Sequence, residues 1–380
     1  MIIKFGARNF LSFREGVEVS FENKGTVNTI LCVKGANAAG KTNLLKALNF
    51  ILFFLGESFT QLKPDEPVSS FKPFFKSSEN SYFYLEFRLP DDPLLYRYEL
   101  ELNSSGVVAE TLTKKNKRTV RLLERKNNDF VSNDDKLKLV KLRSNASMIC
   151  TINQYDPSLL PPRICTFFSS CQSNLQGVYS FGLFLRLQET FGEGMLSSIS
   201  KYFKSFPQSK KIAEEFIHAS DTGIARFDIR QNTELSGNVK YYPVFFHQVD
   251  QKEYPLLYSE ESSGTKALFT VLFYFCLAFE HGSLLIYDEL DMSLHPMIVP
   301  KLLALFQDPR KNPKQAQLFF TSHCTDIMKD LRPDQIFLLG KENNESYAYS
   351  ISECPSGIIR KDRDLIKPYQ QGRLGGIPKL

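Results

Sequence analysis

The stretch GANAAGKTNL, from Gly35 to Leu44, constrains what this chain can fold into more than any other. Gly35, Gly40, Lys41 and Thr42 stand at the spacing G-x-x-x-x-G-K-[ST]. The apolar run from Thr29 to Val33 leads into it, and apolar residues at helical spacing follow. Glycines let a backbone curl tightly enough to aim N–H groups at phosphate oxygens, and the helix N-terminus behind them adds the positive end of its dipole. The expected result is a strand, loop and helix unit in which Lys41 would reach the β and γ phosphates of a bound nucleotide and Thr42 would ligate Mg²⁺.

A second chemical element is SLLIYDEL. Its apolar strand delivers Asp288 and Glu289 at the polar end. Alone, the pair reads as a strand that merely ends in acids. Beside an intact phosphate loop, Asp288 reads as the carboxylate that holds Mg²⁺ through water, and Glu289 as the base that polarises the attacking water.

Around these two elements the pattern alternates. IIKFGARNF, VEVSF and TILCV read as short strands; residues from about Glu57 to Asn80, rich in Pro, Ser and charge, read as a loop. YFYLEFRL, YRYELELN and TVRLLERK then alternate as antiparallel strands of a β-rich lobe. Between about Asp156 and Ala219 the pattern turns helical, punctuated by Pro161, Pro162 and Pro207, with FGLFLRLQETFGEGMLSSISKYFKSF as its main stretch. No heptad run is sustained, which excludes a long coiled-coil arm. Strands return at ARFDIRQ and VKYYPVFFHQ. A helix over Thr265–Phe279, the acidic strand, a helix from about His295 and strands at AQLFFTSH and QIFLLG follow, and this alternation predicts a mainly parallel sheet. Three parts are expected: 1–155, with the phosphate loop and β lobe; 156–222, a helical insertion; and 223–380, with the acidic strand.

Composition narrows the class. Seven cysteines in 380 residues show no CxxC pair, and five histidines show no ligand spacing, so neither a disulfide framework nor a metal beyond nucleotide-borne Mg²⁺ is expected. Cys165 and Cys171 read as apolar filler. LLKALNFILFFLG and ALFTVLFYFCLAF fall short of the roughly 20 residues of a bilayer crossing and read as core helices, with no membrane partner. MIIKFGARNF lacks an export pattern, so a cytoplasmic location is expected. The formal charge of +5 is mild but uneven. Lys114, Lys115, Lys117, Arg118, Arg121, Arg125 and Lys126, then Lys136, Lys138, Lys141 and Arg143, crowd one segment. They read as the solvated face of a β-hairpin, with nucleic-acid phosphates or an acidic partner as the alternative.

The order of phosphate loop, ESSGTK before an apolar helix, acidic strand and then TSH resembles the ATP-binding-cassette (ABC) ATPases. The branch in question includes RecF, the chromosome-maintenance (SMC) proteins and the overcoming-lysogenization-defect (OLD) proteins. The likeness is strongest to short standalone AAA/ABC-type ATP-binding proteins of bacterial phage-defence and toxin-like gene pairs. NFLSF, FKPFF, LLIYDELDMSLHP and the closing GRLGGIP carry the same resemblance. It implies an α/β P-loop head of ABC type, with an inserted antiparallel β lobe and a helical lobe, that binds ATP and Mg²⁺. Gly35, Asn37, Gly40, Lys41, Thr42 and Asn43 would hold the nucleotide, with Thr42 and Asp288 on the metal.

The resemblance also implies a homodimer closed through ATP, with higher assembly left open. Ser262 and Gly264 of one copy would meet the γ phosphate held by the other, although SSGT by itself reads as a helix cap. Asp291 would lie in the loop at that interface, and His323 would be the switch histidine that acts with Glu289 in catalysis. His295 and Pro296 shape a turn. Gln61 is the nearest candidate for the family's water-sensing glutamine, but its context fits poorly. The tail lacks the acidic cluster of the OLD nucleases, so an effector is expected on a separately encoded protein. A RecF-like DNA-binding ATPase and an ATP-sensing module without turnover are the competing readings.

Overall fold

A computed structural model describes the chain except for residues 65, 69–70, 162, 165–166, 169–192, 221, 235–236, 293, 356–364 and 378–380. Two sheets organise it. The larger is antiparallel, in the order β10-β9-β8-β7-β6-β1-β2. It comprises β1 (Ile2–Arg8), β2 (Val17–Ser20), β6 (Ser81–Phe87), β7 (Leu95–Asn103), β8 (Gly106–Lys115), β9 (Thr119–Lys126) and β10 (Asp129–Phe130). Its strands follow the alternation in the sequence: along β7, Tyr96, Tyr98, Leu100 and Leu102 are buried and their neighbours half-exposed.

The second sheet has the order β14-β15-β5-β16-β17. Its members β5 (Ile30–Gly35), β14 (Leu284–Tyr287), β15 (Gln317–Thr321) and β16 (Ile336–Glu342) are parallel, and β17 (Glu345–Ser350) closes the edge antiparallel. Parallel strands covered on both faces read as continuous apolar runs, as ILCV and QLFFT do. One face, with Leu31, Val33, Ile286 and Phe319, packs on α1 (Lys41–Gly56) and the antiparallel sheet. The other, with Ile30, Cys32, Leu285 and Phe320, packs on α7 (Ser263–His281) and α8 (Ile298–Gln307). The expected α/β architecture with an antiparallel β lobe is the one observed.

Smaller elements complete it. β3 (Glu22–Asn23) and β4 (Thr26–Val27) form a hairpin, and β11 (Ile224–Thr233), β12 (Val239–Val249) and β13 (Lys252–Leu257) a third sheet. The segment expected as loop after Glu57 opens with α2 (Ser58–Gln61), and the end of the first part holds α3 (Asp135–Lys138) and α4 (Met148–Tyr155) rather than strands. Of the helical stretch, α5 (Glu193–Ser205) and α6 (Pro207–His218) pack with β11, β12 and α7 in the second core. Residues 169–192, Cys171 among them, lie outside the described residues, as do Pro162 and Cys165. The helix expected from His295 begins at Ile298, and α9 (Ile366–Gln370) lies near the C-terminus. Among the described residues α7 alone is long and apolar enough to cross a membrane, and 67% of that window is buried inside the protein. It is a core helix, capped by Ser262 and ended by Gly282 in the left-handed region.

The basic segment departs from its expected role at Arg125 and Arg143. Arg125 is wholly buried on β9 opposite Glu110 of β8; its guanidinium donates to Glu110 Oε2 at 2.8 Å and to the carbonyls of Ala146 (2.6 Å) and Arg143 (2.7 Å). Arg143 stacks over Phe59 and donates to its carbonyl. Both charges tie the helical end of the lobe to the sheet. Lys115, Lys117, Arg118 and Lys126 do stand exposed.

Candidate nucleotide site

Three of the chemistry-bearing segments leave the parallel sheet at the carboxyl ends of its strands: the glycine loop after β5, Asp288 after β14 and His323 after β15. Open α/β sheets place ligands at that edge. Gly35 is required because a Cβ there would come within 2.8 Å of the Leu339 carbonyl oxygen on β16. Gly40 has φ +106° and faces the Ser12 and Ser346 hydroxyls, so a side chain would be strained and crowded. Asn37 is exposed in the loop, and the amide of Asn43 donates to Ser12 Oγ at 2.9 Å. The NFLSF turn is thereby fixed to the start of α1.

Lys41 is buried and folds back on the loop, donating to the carbonyls of Gly35 (2.9 Å) and Ala36 (3.1 Å). Burial lowers its pKa, while Asp288, Glu289 and Asp291 pull the other way. An ammonium so placed gains from an incoming polyphosphate, whose charge offsets its lost hydration.

Thr42 Oγ1 donates to Asp288 Oδ2 at 2.8 Å, and Thr321 Oγ1 donates to Asp288 Oδ1 at 2.5 Å. Thr321 Oγ1 also accepts the Glu289 N–H at 2.7 Å. Glu289 sits at φ +55°, a left-handed backbone that costs a non-glycine residue about 1–2 kcal/mol. The threonine therefore holds the acidic pair in a shape the chain would not adopt unaided. Hydroxyl and carboxylate oxygens are the donors of a hard cation. Mg²⁺ commonly takes one or two protein oxygens and fills its octahedron with phosphate and water, so Thr42 and Asp288 fit that group.

His323 stands beside Glu289, with Nε2 4.0 Å from Oε1. Asp291 turns towards its own chain: its carboxylate accepts the N–H groups of His323 (3.0 Å) and Cys324 (2.8 Å). The structure thus brings together Gly35, Gly40, Lys41, Thr42, Asp288, Glu289, Asp291 and His323. Ser262 and Gly264 belong instead to the N-terminal turn of α7, where Ser262 Oγ accepts the Thr265 N–H at 3.1 Å; buried Glu261 before it binds His247 at 2.7 Å. Gln61 is exposed at the end of α2. Two site residues escaped the sequence reading. Thr321 belongs to the TSH motif and could have been found there. Lys34, buried on β5, has no local signal.

The family described as "AAA domain, putative AbiEii toxin, Type IV TA system" matches residues 30–144 and 186–328, more than half of the chain. The chain belongs to this AAA family. The matched residues of this AAA protein include the glycine loop, the ESSGTK turn, the acidic strand and the TSH turn. Among solved structures, the SMC head domain from Thermotoga maritima is similar at 16% identity, covering 92% of this chain and 98% of that one, with a TM-score of 0.46. No curated protein matches.

Proposed function

We propose that the protein is an ABC-type ATP hydrolase that closes as a homodimer around ATP and Mg²⁺ and opens on hydrolysis. The observation that carries this reading is the linkage Thr42–Asp288–Thr321–Glu289, which joins the phosphate loop to a metal-side carboxylate and a base. The glycine loop and Lys41 bind the triphosphate, Glu289 takes the proton of the attacking water, and His323 steadies the terminal phosphate beside it. Mg²⁺, held by Thr42 and Asp288, supplies charge neutralisation. Positioning and electrostatic stabilisation then provide most of the catalysis.

Dimer closure is supported by where Ser262 lies. Ser262 is exposed at the N-terminus of the 19-residue α7, where a helix end suits an anion. A second copy can present it to the γ phosphate.

We further propose that the cycle acts as a switch or scaffold for a separately encoded effector in bacterial anti-phage defence. The description of the family names a toxin of a type IV TA system, which supports a paired role. A RecF-like, DNA-binding role is the second reading, favoured by exposed Lys115, Lys117, Arg118 and Lys126. Such binding falls steeply with salt; duplex DNA that neither binds at low salt nor stimulates hydrolysis removes it. A sensor without turnover would have no use for the strained Glu289.

The experiment compares two variants by ATP turnover and by sedimentation with MgATP. Glu289→Gln should lower kcat about 10²–10⁴-fold and accumulate an ATP-bound dimer. Lys41→Ala should bind no nucleotide and stay monomeric. Identical oligomer profiles for the two would contradict the assignment.

A further inference from the structure

Lys34 has no part in the scheme above, yet its placement demands one. It ends the apolar run of β5, directly before Gly35, and is 1% exposed in a strand whose neighbours are Cys32 and Val33. A buried ammonium costs several kcal/mol unless its charge is met, and any apolar side chain would pack a sheet interior more cheaply. Among the described residues its charge is met by carbonyls rather than by a carboxylate. Nζ donates to the carbonyl oxygens of Ser322 (3.1 Å) and Cys324 (2.8 Å), the two neighbours of His323.

The same turn is gripped from its N–H side by Asp291. A cation on the carbonyls and an anion on the amides fix the backbone on both sides of one residue. That residue projects its imidazole beside Glu289. The back of the grip is closed by α9, whose Tyr369 ring lies 6.0 Å from Nζ and whose hydroxyl donates to the Gly376 carbonyl in the GRLGGIP segment.

We propose that Lys34 is a positioning residue for His323: through the carbonyls of residues 322 and 324 it sets where the imidazole stands relative to Glu289 and the terminal phosphate. The inference rests on the ATPase reading for its catalytic consequence, but the geometry it asserts is independent of turnover.

The test is a double-mutant cycle of Lys34→Met, His323→Ala and their combination, read as kcat and as affinity for a fluorescent ATP analogue. Lys34→Met should keep nucleotide affinity within about threefold, because the glycine loop and Lys41 remain, and lower kcat about tenfold or more, the size of a lost charge-assisted hydrogen bond. In the His323→Ala background, removing Lys34 should cost nothing further. Multiplying losses would overturn the proposal, since a merely structural lysine harms both backgrounds alike. A second readout needs no hydrolysis: the imidazole ¹H–¹³C resonance of His323, assigned by its loss in His323→Ala, should move in Lys34→Met while those of His218 and His295 stay. An unmoved His323 resonance would also overturn it. Lys34→Gln, which keeps one donor and carries no charge, serves both measurements if the methionine variant does not fold. If the wild-type protein hydrolyses no ATP, the functional reading fails and the resonance alone decides the role of Lys34.

Discussion

Thr321 shows how much of this site depends on one hydroxyl. Its proton goes to Asp288 and its lone pair takes the Glu289 N–H. Thr321→Val keeps the shape but strands both partners, at about 1–3 kcal/mol. ATP turnover of that variant should fall about tenfold or more, with Thr321→Ser close to wild type; an unimpaired valine variant would show that the acidic pair is held by something else. The grouping of Gly35, Lys41, Thr42, Asp288 and Glu289 at one sheet edge was legible in the sequence because each belongs to a short motif of local spacing. Lys34 was not. Its partners are 288 and 290 residues away, and become neighbours only because β15 pairs with β5.

At the scale of elements, the alternation that marks β6 to β9 also set a trap. A run of lysines and arginines on such strands reads as a solvated face, yet β9 stands in register with β8 so that Arg125 falls opposite Glu110 on the buried side. Register cannot be read from either strand alone. Glu110 is further fixed by the Tyr98 hydroxyl and the Met148 N–H, so this cluster joins three strands and α4. Removing one partner leaves a buried charge unpaired. Arg125→Met should therefore cost about 3–5 kcal/mol in urea unfolding, whereas Lys117→Met on the exposed tip should cost almost nothing; equal costs would contradict the buried pairing. The core helix α7 was legible in outline, but the sequence reading stopped short of its ends, Ser263 and His281, because capping rather than hydrophobicity sets them.

Across the whole molecule α1 packs between the two sheets, while Ser262 caps α7 on the other face of the parallel sheet. Ser262 thus has two roles to tell apart. As a helix cap alone, its loss in Ser262→Ala costs about 1 kcal/mol of stability and a few degrees in Tm, with turnover unaffected. As a phosphate ligand in trans, the same change lowers turnover far more than a cap can explain. A turnover equal to wild type in a slightly less stable protein would leave only the cap.

The most direct measurement mixes two inactive variants, Lys41→Ala and Ser262→Arg, and follows ATP hydrolysis. Each mixed dimer holds one composite site, with Lys41 from one copy and Ser262 from the other, so the mixture should recover a substantial part of wild-type turnover although neither variant alone has any. A mixture that stays as inactive as its components, alongside an active wild-type protein, would mean that Lys41 and Ser262 do not meet across two copies.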